Sequence, residues 1–366
     1  MADAKQIRVM IMAGGTGGHV FPALAVAERL CAENAVIAWM GTRKGIESEI
    51  VPKQNIDLYY LNVEGIRGRG LGVLLKTPFF LLQSIYQAFR VLSTFKPQVV
   101  LGMGGFASGP GAVAAWLKRI PVVIHEQNAV AGTTNRLSAL FAKRIMQGFP
   151  NVHVRGEWCG NPVRPEIAKI SSPEIRFADR KGPMRLLILG GSRGALAINT
   201  LVPEALANLP KNLVPAVLHQ TGKLHAKTTQ DQYVAAGFDT DADNLRIVPF
   251  IEAMDTAYEW ADFVICRAGA LTVAELTSAG LGALLIPFPF AIDNHQTANG
   301  QLLVDHDAAV IISQNVIDAK ILSEIILATI KSPQKRLSMA LNARSLAKNL
   351  AAEHVAEICL EVANGG

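Results

Sequence analysis

Four glycines and a histidine stand between an apolar run and an alanine-rich run in RVMIMAGGTGGHVFPALAVAERL, residues 8–30. Glycine lets the backbone come close to a ligand, and the first turn of a helix offers unpaired N–H groups at its positive end. A strand that leads through this turn into a helix opening near Pro22 is therefore a candidate anion site. Histidine titrates near neutral pH, so His19 is a candidate general base there.

A second candidate site lies in ADFVICRAGALTVAELTSAG, residues 261–280. A strand leads through a short turn into a helix that starts at about Ala270, and Glu275 falls in the early turns of that helix. A helix N-terminus can bind a diphosphate, and a carboxylate just inside it can accept hydrogen bonds from both hydroxyls of a ribose. Alone, Glu275 would be interpreted as a solvated helix residue, but the surrounding pattern favours a nucleotide site.

Two more glycine turns, in LGMGGFASGPG and LLILGGSRGA, follow apolar runs. No stretch fits the P-loop pattern, since the pair Gly222-Lys223 is followed by Leu224 rather than serine or threonine. The dinucleotide fingerprint fails at its third glycine, where the chain has Val20, although Arg43 and Lys44 leave an NADP-dependent reductase as an alternative. Together the turns favour ligands that carry phosphates.

These turns must be positioned by alternating strands and helices. Short β-branched runs alternate with helix-length segments from residue 7 onward, and the rhythm restarts at MRLLILGGSRGALAIN after the prolines of GNPVRPEI. Such a rhythm is typical of doubly wound parallel sheets. With 366 residues and 50% hydrophobic content, the chain is expected to form two Rossmann-like α/β domains with a ligand cleft between them.

Composition and charge indicate the compartment in which the protein works and the charge of its partner. The four cysteines are far apart and show no CxxC pair, which indicates neither a zinc site nor a disulfide framework. The start of the chain lacks a signal-peptide pattern and the longest apolar runs are too short to span a bilayer, so we expect a cytoplasmic protein. Residues 1–163 hold 17 Lys and Arg against 9 Asp and Glu, net +8, whereas the remainder holds 18 against 21, net −3. This asymmetry suggests an acidic partner for the first half.

Seven motifs occur in order: AGGTGGHVFPALAVA, GMGGFASGP, HEQNAVAGTTNR, GNPVR, GGSRGA, RAGALTVAEL and DNHQTANG. They resemble the motifs of the MurG family, glycosyltransferases that move N-acetylglucosamine from UDP to the lipid-linked muramyl-pentapeptide, converting lipid I to lipid II in peptidoglycan synthesis. The resemblance implies a glycosyltransferase B fold. It implies an acceptor and membrane domain at 1–163, with a C-terminal helix at about 345–366 packing back on it, and a donor domain at 164–344. No cofactor and no nucleic-acid partner are expected, and a non-catalytic nucleotide-sugar binding protein is a further alternative.

The resemblance also assigns binding residues by position. In the second half it implies phosphate contacts from Arg164 and Ser192, a backbone contact of Ile251 with the uracil, and ribose binding by Glu275. The remaining assignments are the diphosphate-facing helix start Ala270, Leu271 and Thr272, the sugar contact Gln296, and the first-domain residues Thr16, Gly17, Gly18 and Asn128. The family often has paired glutamines where this chain has His295-Gln296, and DNHQ also resembles a helix capping box, so Gln296 could instead be a cap.

Transfer requires stabilisation of the charge on the leaving diphosphate and removal of a proton from the attacking hydroxyl. The acidic runs DTDAD and DHD lie in polar loops, so we expect no metal site. Helix and backbone dipoles with Ser192 and Arg164 can serve the first task. His19 is one candidate base, with binding of the acceptor pyrophosphate as its alternative role; Glu126 is the other, and His125 is expected to be structural.

The segment GVLLKTPFFLLQSIYQAFRVLSTFK shows two apolar stripes at helical spacing. One contains Leu75, Phe79, Leu82, Tyr86 and Phe89, and the other contains Leu74, Leu81, Ile85, Ala88 and Leu92. A helix buried on two sides would explain both stripes. The neighbouring Lys76, Arg90, Lys118 and Arg119, with Trp116, instead suit an anionic membrane surface. We therefore predict peripheral binding to the inner face of the plasma membrane through residues around 73–90 and 116–119.

Overall fold

The computed structural model describes residues 6–63, 71–191 and 194–365, with the backbone alone for 71–77 and residue 292. The chain divides into two compact units. The first comprises Met1–Arg164 together with Asn349–Gly366, and the second comprises Pro165–Lys348. Both units are parallel-sheet α/β domains, which confirms the predicted fold class.

The first unit is built on seven parallel strands: β1 (Arg8–Met12), β2 (Val36–Gly41), β3 (Asp57–Tyr60), β4 (Val99–Gly102), β5 (Val122–Glu126), β6 (Arg144–Gln147) and β7 (Gly156–Trp158). Their order in the sheet is β3-β2-β1-β4-β5-β6-β7. The strand order reverses direction at β1 and β4, so the turns after these two strands lie side by side at the carboxyl edge of the sheet. This is where ligands bind in doubly wound folds.

Helices cover both faces of this sheet: α1 (Gly17–Ala32), α2 (Glu47–Ile50), α3 (Leu71–Phe95), α4 (Ser108–Leu117) and α5 (Thr133–Ser138). Helix α1 begins five residues before Pro22, not near it as predicted. Pro22 has no N–H to donate to the Gly18 carbonyl, but the glycine-rich first turn reaches helical geometry without it. Buried apolar side chains of β1, such as Val9 and Ile11, pack against Val26 and Leu30 of α1.

The second unit holds six parallel strands: β8 (Arg185–Leu189), β9 (Ala216–Gln220), β10 (Leu245–Val248), β11 (Phe263–Cys266), β12 (Ala283–Leu285) and β13 (Ala309–Ile311). Their order is β10-β9-β8-β11-β12-β13. The helices are α6 (Pro165–Ala168), α7 (Pro173–Ala178), α8 (Leu196–Ala207), α9 (Ala226–Ala235), α10 (Met254–Trp260), α11 (Ala270–Ala279), α12 (His295–Val304), α13 (Ala319–Lys331) and α14 (Pro333–Ser345). The switch point of this sheet lies between β8 and β11.

The last helix, α15 (Ala351–Ala363), belongs to the first unit. It packs on α1, where Arg29 and Glu353 form an ion pair of 2.9 Å, and it buries Val355 and Cys359 in the core of that unit. The chain leaves the second unit after residue 348 rather than after 344. The end of α14 stays in the second unit because Arg344 donates to the Ile170 carbonyl at 3.2 Å. Among the helices that the structure describes, none is long and apolar enough to cross a membrane.

Candidate functional site

The turn after β1 carries the candidate base. His19 lies in the first turn of α1, and its Nδ1 is 3.2 Å from the Gly14 carbonyl oxygen. A carbonyl can only accept, so Nδ1 carries the proton and Nε2 is the basic nitrogen of the neutral ring. Thr16 is exposed and precedes the helix with extended backbone, while Gly17 and Gly18 form the half-buried helix start.

Neighbouring groups hold this turn from several sides. The Met12 carbonyl accepts from Met103 N–H at 2.8 Å and from the Ser108 hydroxyl at 2.7 Å. The Ala13 carbonyl accepts from the indole of Trp39 at 2.8 Å. On the far side of the turn, Glu47 accepts from the N–H of Gly15 at 2.9 Å. The turn is therefore rigidly preorganised.

The glycine turn after β4 packs directly against the turn after β1. A Cβ at Gly104 would lie 2.9 Å from the His19 ring, and one at Gly105 would collide with the Gly14 backbone. Gly104 and Gly105 therefore allow the close approach of the two turns. This gives the second glycine motif a packing role beside His19.

Glu126 ends β5 and is buried. Its Oε1 accepts from the Asn128 N–H at 2.9 Å, and its Oε2 accepts from the Gly132 N–H at 3.0 Å and the Asn135 amide at 2.9 Å. These bonds fold the loop HEQNAVAG around one carboxylate. This geometry favours a loop-organising role for Glu126 over that of a general base, and it holds Asn128 at the start of the loop.

His125 is fully buried beside Glu126. Its Nε2 donates to the Gly160 carbonyl at 2.9 Å, and the Gln127 amide lies 3.1 Å from its Nδ1. Burial lowers the pKa of His125 to about 4, although the bond to Gly160 opposes the shift. The ring is neutral at ordinary pH and ties β5 to the segment before Asn161, in agreement with the structural role expected for it.

In the second unit, Glu275 is 6% exposed and lies in the second turn of α11. Its Oε2 accepts a hydrogen bond of 2.9 Å from the hydroxyl of the fully buried Tyr258 on α10. Burial, with the negative charge of Glu275, raises the pKa of the Cys266 thiol to about 12. Glu275 is therefore a fixed carboxylate behind the helix start formed by Ala270, Leu271 and Thr272, and not the solvated residue of the alternative interpretation.

Arg176 connects helices α7, α10 and α11 by hydrogen bonds and was not identified from the sequence. Arg176 of α7 is buried and donates to the carbonyls of Tyr258 at 3.1 Å and of Ala279 and Gly280 at 2.6 Å. Burial, together with nearby arginines, lowers the pKa of Arg176 to about 10. The guanidinium thus fixes α10 to the end of α11, and no local sequence pattern indicated it.

The glycine turn after β8 contains Ser192, which lies outside the residues that the structure describes. Behind that turn is a buried polar chain: His219 Nδ1 is 3.0 Å from the Tyr233 hydroxyl and its Nε2 is 3.1 Å from Asn199 Oδ1. The Asn199 amide continues to the Thr221 carbonyl at 2.9 Å. Burial lowers the pKa of His219 to about 3.

The other predicted donor residues lie on loops or helix starts. Gln296, in the first turn of α12, accepts from the Phe288 N–H at 2.9 Å through its side-chain oxygen. Asn294, the residue before α12, makes no side-chain cap. Ile251 is half-buried in the loop after β10, and Arg164 is a half-buried residue at the end of the first unit.

Helix α3 has one buried and one exposed face. Ala88 and Leu92 are fully buried, whereas Phe79 and Leu82 are 69% and 66% exposed. The alternative of a helix buried on two sides is therefore wrong. Leu81, placed on the core stripe by its spacing, is exposed as well. Exposed apolar residues of α3 and α4 form what we call the apolar surface: Phe79, Phe80, Leu81, Leu82, Tyr86, Phe89, Trp116 and Leu117.

Cations adjoin this apolar surface. Lys118 places its Nζ 4.1 Å from the centre of the Phe89 ring, and Arg90 and Arg119 are exposed nearby. The side chains of Lys76, Leu74 and Leu75 lie outside the described residues. Within the described part of the chain, no three His, Cys, Asp or Glu side chains are grouped to hold a metal ion.

Two parallel-sheet units, each with polar groups at the carboxyl ends of its strands, are the architecture of the glycosyltransferase B fold. Residues 9–147 match the sequence model of the glycosyltransferase family 28 N-terminal domain, and residues 185–362 match that of the C-terminal domain. The chain belongs to the MurG family within glycosyltransferase family 28.

Individual relatives agree with this assignment. The UDP-N-acetylglucosamine--N-acetylmuramyl-(pentapeptide) pyrophosphoryl-undecaprenol N-acetylglucosamine transferase of Nitrosococcus oceani is 50% identical over 362 residues, covering 98% of this chain and 99% of the relative. The protein of the same name from Cellvibrio japonicus is 49% identical and covers 99% and 100%. The crystal structure of Acinetobacter baumannii MurG superposes with a TM-score of 0.83 at 39% identity, covering 97% and 99%. The reductase and the non-catalytic binding protein gain no support from these relatives.

Proposed function

We propose that the protein transfers N-acetylglucosamine from UDP-N-acetylglucosamine to the C4 hydroxyl of lipid I, which yields lipid II for peptidoglycan synthesis. The observation that carries the proposal is the near-full-length identity of about half of all residues to relatives named for this transfer. The protein is an enzyme of the inverting hexosyltransferase type.

The second unit binds the donor. Glu275 accepts hydrogen bonds from the ribose hydroxyls, and its fixed position beside Tyr258 supports this role. The N-terminus of α11 binds the diphosphate, and Ser192 and Arg164, the last residue of the first unit before α6, supply further phosphate contacts. Ile251 contacts the uracil through its backbone. Gln296 binds the hydroxyls of the sugar.

The first unit binds the acceptor and supplies the base. The C4 oxygen of the acceptor attacks the anomeric carbon and forms the new glycosidic bond, while the bond from that carbon to the UDP oxygen breaks. The proton of the attacking hydroxyl passes to His19 Nε2, and this direct displacement inverts the anomeric configuration. The negative charge on the departing diphosphate is stabilised by helix and backbone dipoles and by Arg164. Thr16, Gly17, Gly18 and Asn128 contact the substrates from this side.

The acceptor is a membrane-anchored lipid, so the first unit works at a membrane. We infer that it docks through the apolar surface on α3 and α4. Its large side chains can enter the region between lipid headgroups and acyl chains, while Arg90, Lys118 and Arg119 meet anionic headgroups. The net charge of +8 over residues 1–163 favours the same leaflet. The protein is thus peripheral on the inner face of the plasma membrane.

Transfer of radiolabel tests the function. The purified protein is incubated with UDP-N-acetylglucosamine, labelled in the sugar, and a water-soluble lipid I analogue, and the products are separated by chromatography. We expect label in a disaccharide product that forms only when the acceptor is present. No labelled disaccharide from a folded protein that binds UDP, or release of free labelled sugar alone, would contradict the proposal.

A further inference from the structure

The buried carboxylate of Glu47 lies beneath the turn after β1, where neither the motifs nor the proposed chemistry assign it a role. It is fully buried at the start of α2. Oε1 accepts from the N–H and the hydroxyl of Thr42, both at 2.8 Å, and Oε2 accepts from the Gly15 N–H at 2.9 Å. A buried carboxylate with three donors is a costly arrangement that needs a matching cavity.

Three glycines make that cavity. A Cβ at Gly14, Gly41 or Gly45 would collide with the Glu47 side chain. The glycine content of this region therefore serves an internal anion as well as any substrate. The Gly15 N–H is committed to Glu47, so substrate phosphate must be met by later donors at the start of α1.

The hydrogen bond of Glu47 acts on the same peptide group that holds the base. The Gly15 N–H and the Gly14 carbonyl belong to one planar peptide bond, in which the two groups point in opposite directions. Glu47 accepts from one side of that group at 2.9 Å, and His19 Nδ1 donates to the other side at 3.2 Å. Fixing the N–H therefore fixes the carbonyl that orients the His19 ring.

Glycine on both sides of this peptide makes a peptide flip sterically possible, since Gly15 already has a φ of +91°. A flip would turn the Gly15 N–H toward His19 Nδ1 and would favour the tautomer that carries its proton on Nε2. In that tautomer Nε2 cannot accept the proton of the acceptor hydroxyl. We propose that Glu47 is a positioning residue that holds the Gly14-Gly15 peptide in the orientation that keeps His19 Nε2 basic. The inference rests on the proposed role of His19.

The test compares Glu47→Gln with Glu49→Gln, the same change at an exposed position of the same short helix. A glutamine amide must turn its NH₂ toward either Gly15 or Thr42, so at least one donor loses its acceptor. We expect kcat to fall roughly 10- to 100-fold in Glu47→Gln, with UDP affinity by calorimetry unchanged, because UDP binds the second unit. Glu49→Gln should match the wild-type protein. Thr42→Val, which keeps the charge and removes one donor, should cause a smaller fall in kcat.

NMR of ¹⁵N-labelled histidine measures which ring nitrogen of His19 carries the proton. If Glu47 only stabilised the fold, this tautomer would not change in the variant. The wild-type protein should show the proton of neutral His19 on Nδ1, and Glu47→Gln should shift the population toward Nε2. An unchanged tautomer would overturn the inference, as would unchanged kcat in a folded variant. The tautomer measurement needs no turnover. It therefore tests Glu47 even if the wild-type protein transfers no sugar, which would refute the proposed function instead.

Discussion

Replacing Glu275 by alanine should have two separate effects, one on the affinity for UDP and one on the free energy of unfolding. The carboxylate accepts the Tyr258 hydroxyl at 2.9 Å, and in the proposed complex it also accepts the two ribose hydroxyls. Hydrogen bonds to a charged group contribute about 1.5–3 kcal/mol each. Two ribose bonds at the lower figure amount to about 3 kcal/mol, which corresponds to a rise of about 100-fold in the Kd for UDP.

The same substitution removes the acceptor of a buried hydroxyl, so it also lowers the free energy of unfolding, by about 1–3 kcal/mol. This loss arises in free and UDP-bound protein alike and does not enter the Kd. Adding Tyr258→Phe to Glu275→Ala removes the donor too. The double variant should therefore be little less stable than Glu275→Ala, although its affinity for UDP stays low.

Titration calorimetry with UDP and with 3′-deoxy-UDP, alongside denaturant unfolding, checks both parts. The wild-type protein should bind the deoxy ligand more weakly than UDP, whereas Glu275→Ala should no longer distinguish the two. Glu324→Ala, at an exposed position of α13 in the same unit, is the control. If folded Glu275→Ala bound UDP with wild-type affinity, the ribose assignment would be wrong.

Three further changes test other parts of the molecule. His19→Ala should lower kcat by about 10²- to 10⁴-fold, as for loss of a general base, and leave UDP affinity intact; a parallel loss of UDP binding would show that His19 is misassigned. Phe79→Asp with Leu82→Asp should abolish salt-sensitive sedimentation with anionic vesicles, while Val234→Asp, an exposed apolar site in the second unit, should not; equal recovery of wild-type protein on neutral vesicles would refute membrane docking. His219 stays neutral when folded because burial lowers its pKa to about 3, whereas an unfolded histidine binds a proton below about pH 6.5. The free energy of unfolding is thus retained above pH 6.5 and falls by about 2 kcal/mol between pH 7 and 5. Denaturant unfolding at both pH values should show a smaller fall in His219→Gln. An equal fall would contradict a neutral, buried His219.

The fold could be predicted because most strands of both sheets are continuous apolar runs. β1 and β8 show this most clearly, since each is followed by a glycine turn and a helix. Strands β3 and β7 lack such a run. They are edge strands of three or four residues with sequences DLYY and GEW, and a half-exposed edge strand needs no apolar run. Their pairing is decided by the neighbouring strands rather than by their own residues.

Glu47 and Tyr258 could not be predicted from their sequence neighbours, because the groups they contact come from distant parts of the chain. The cavity of Glu47 is formed by Gly14, Gly41 and Gly45, which come from two strand ends and a loop. Gly41 and Gly45 on either side of a three-residue segment were the only local signal, and they indicate a turn as readily as a cavity. Similarly, Tyr258 meets Glu275 only because α10 and α11 pack together.

His125 and His19 are the same residue type, but their different burial gives them different roles. His125 lies within strand β5 and His19 lies in the first turn of α1, and each uses a ring nitrogen to contact a backbone carbonyl, of Gly160 at 2.9 Å and of Gly14 at 3.2 Å. His125 is fully buried, and its pKa of about 4 keeps it neutral where enzymes usually work. It can fix a loop but cannot gain a proton during turnover. His19 is half-buried at a helix start beside glycines, so protonation at Nε2 does not place a charge in a closed apolar core. Of the two, His19 is therefore the one that fits the proposed role of general base.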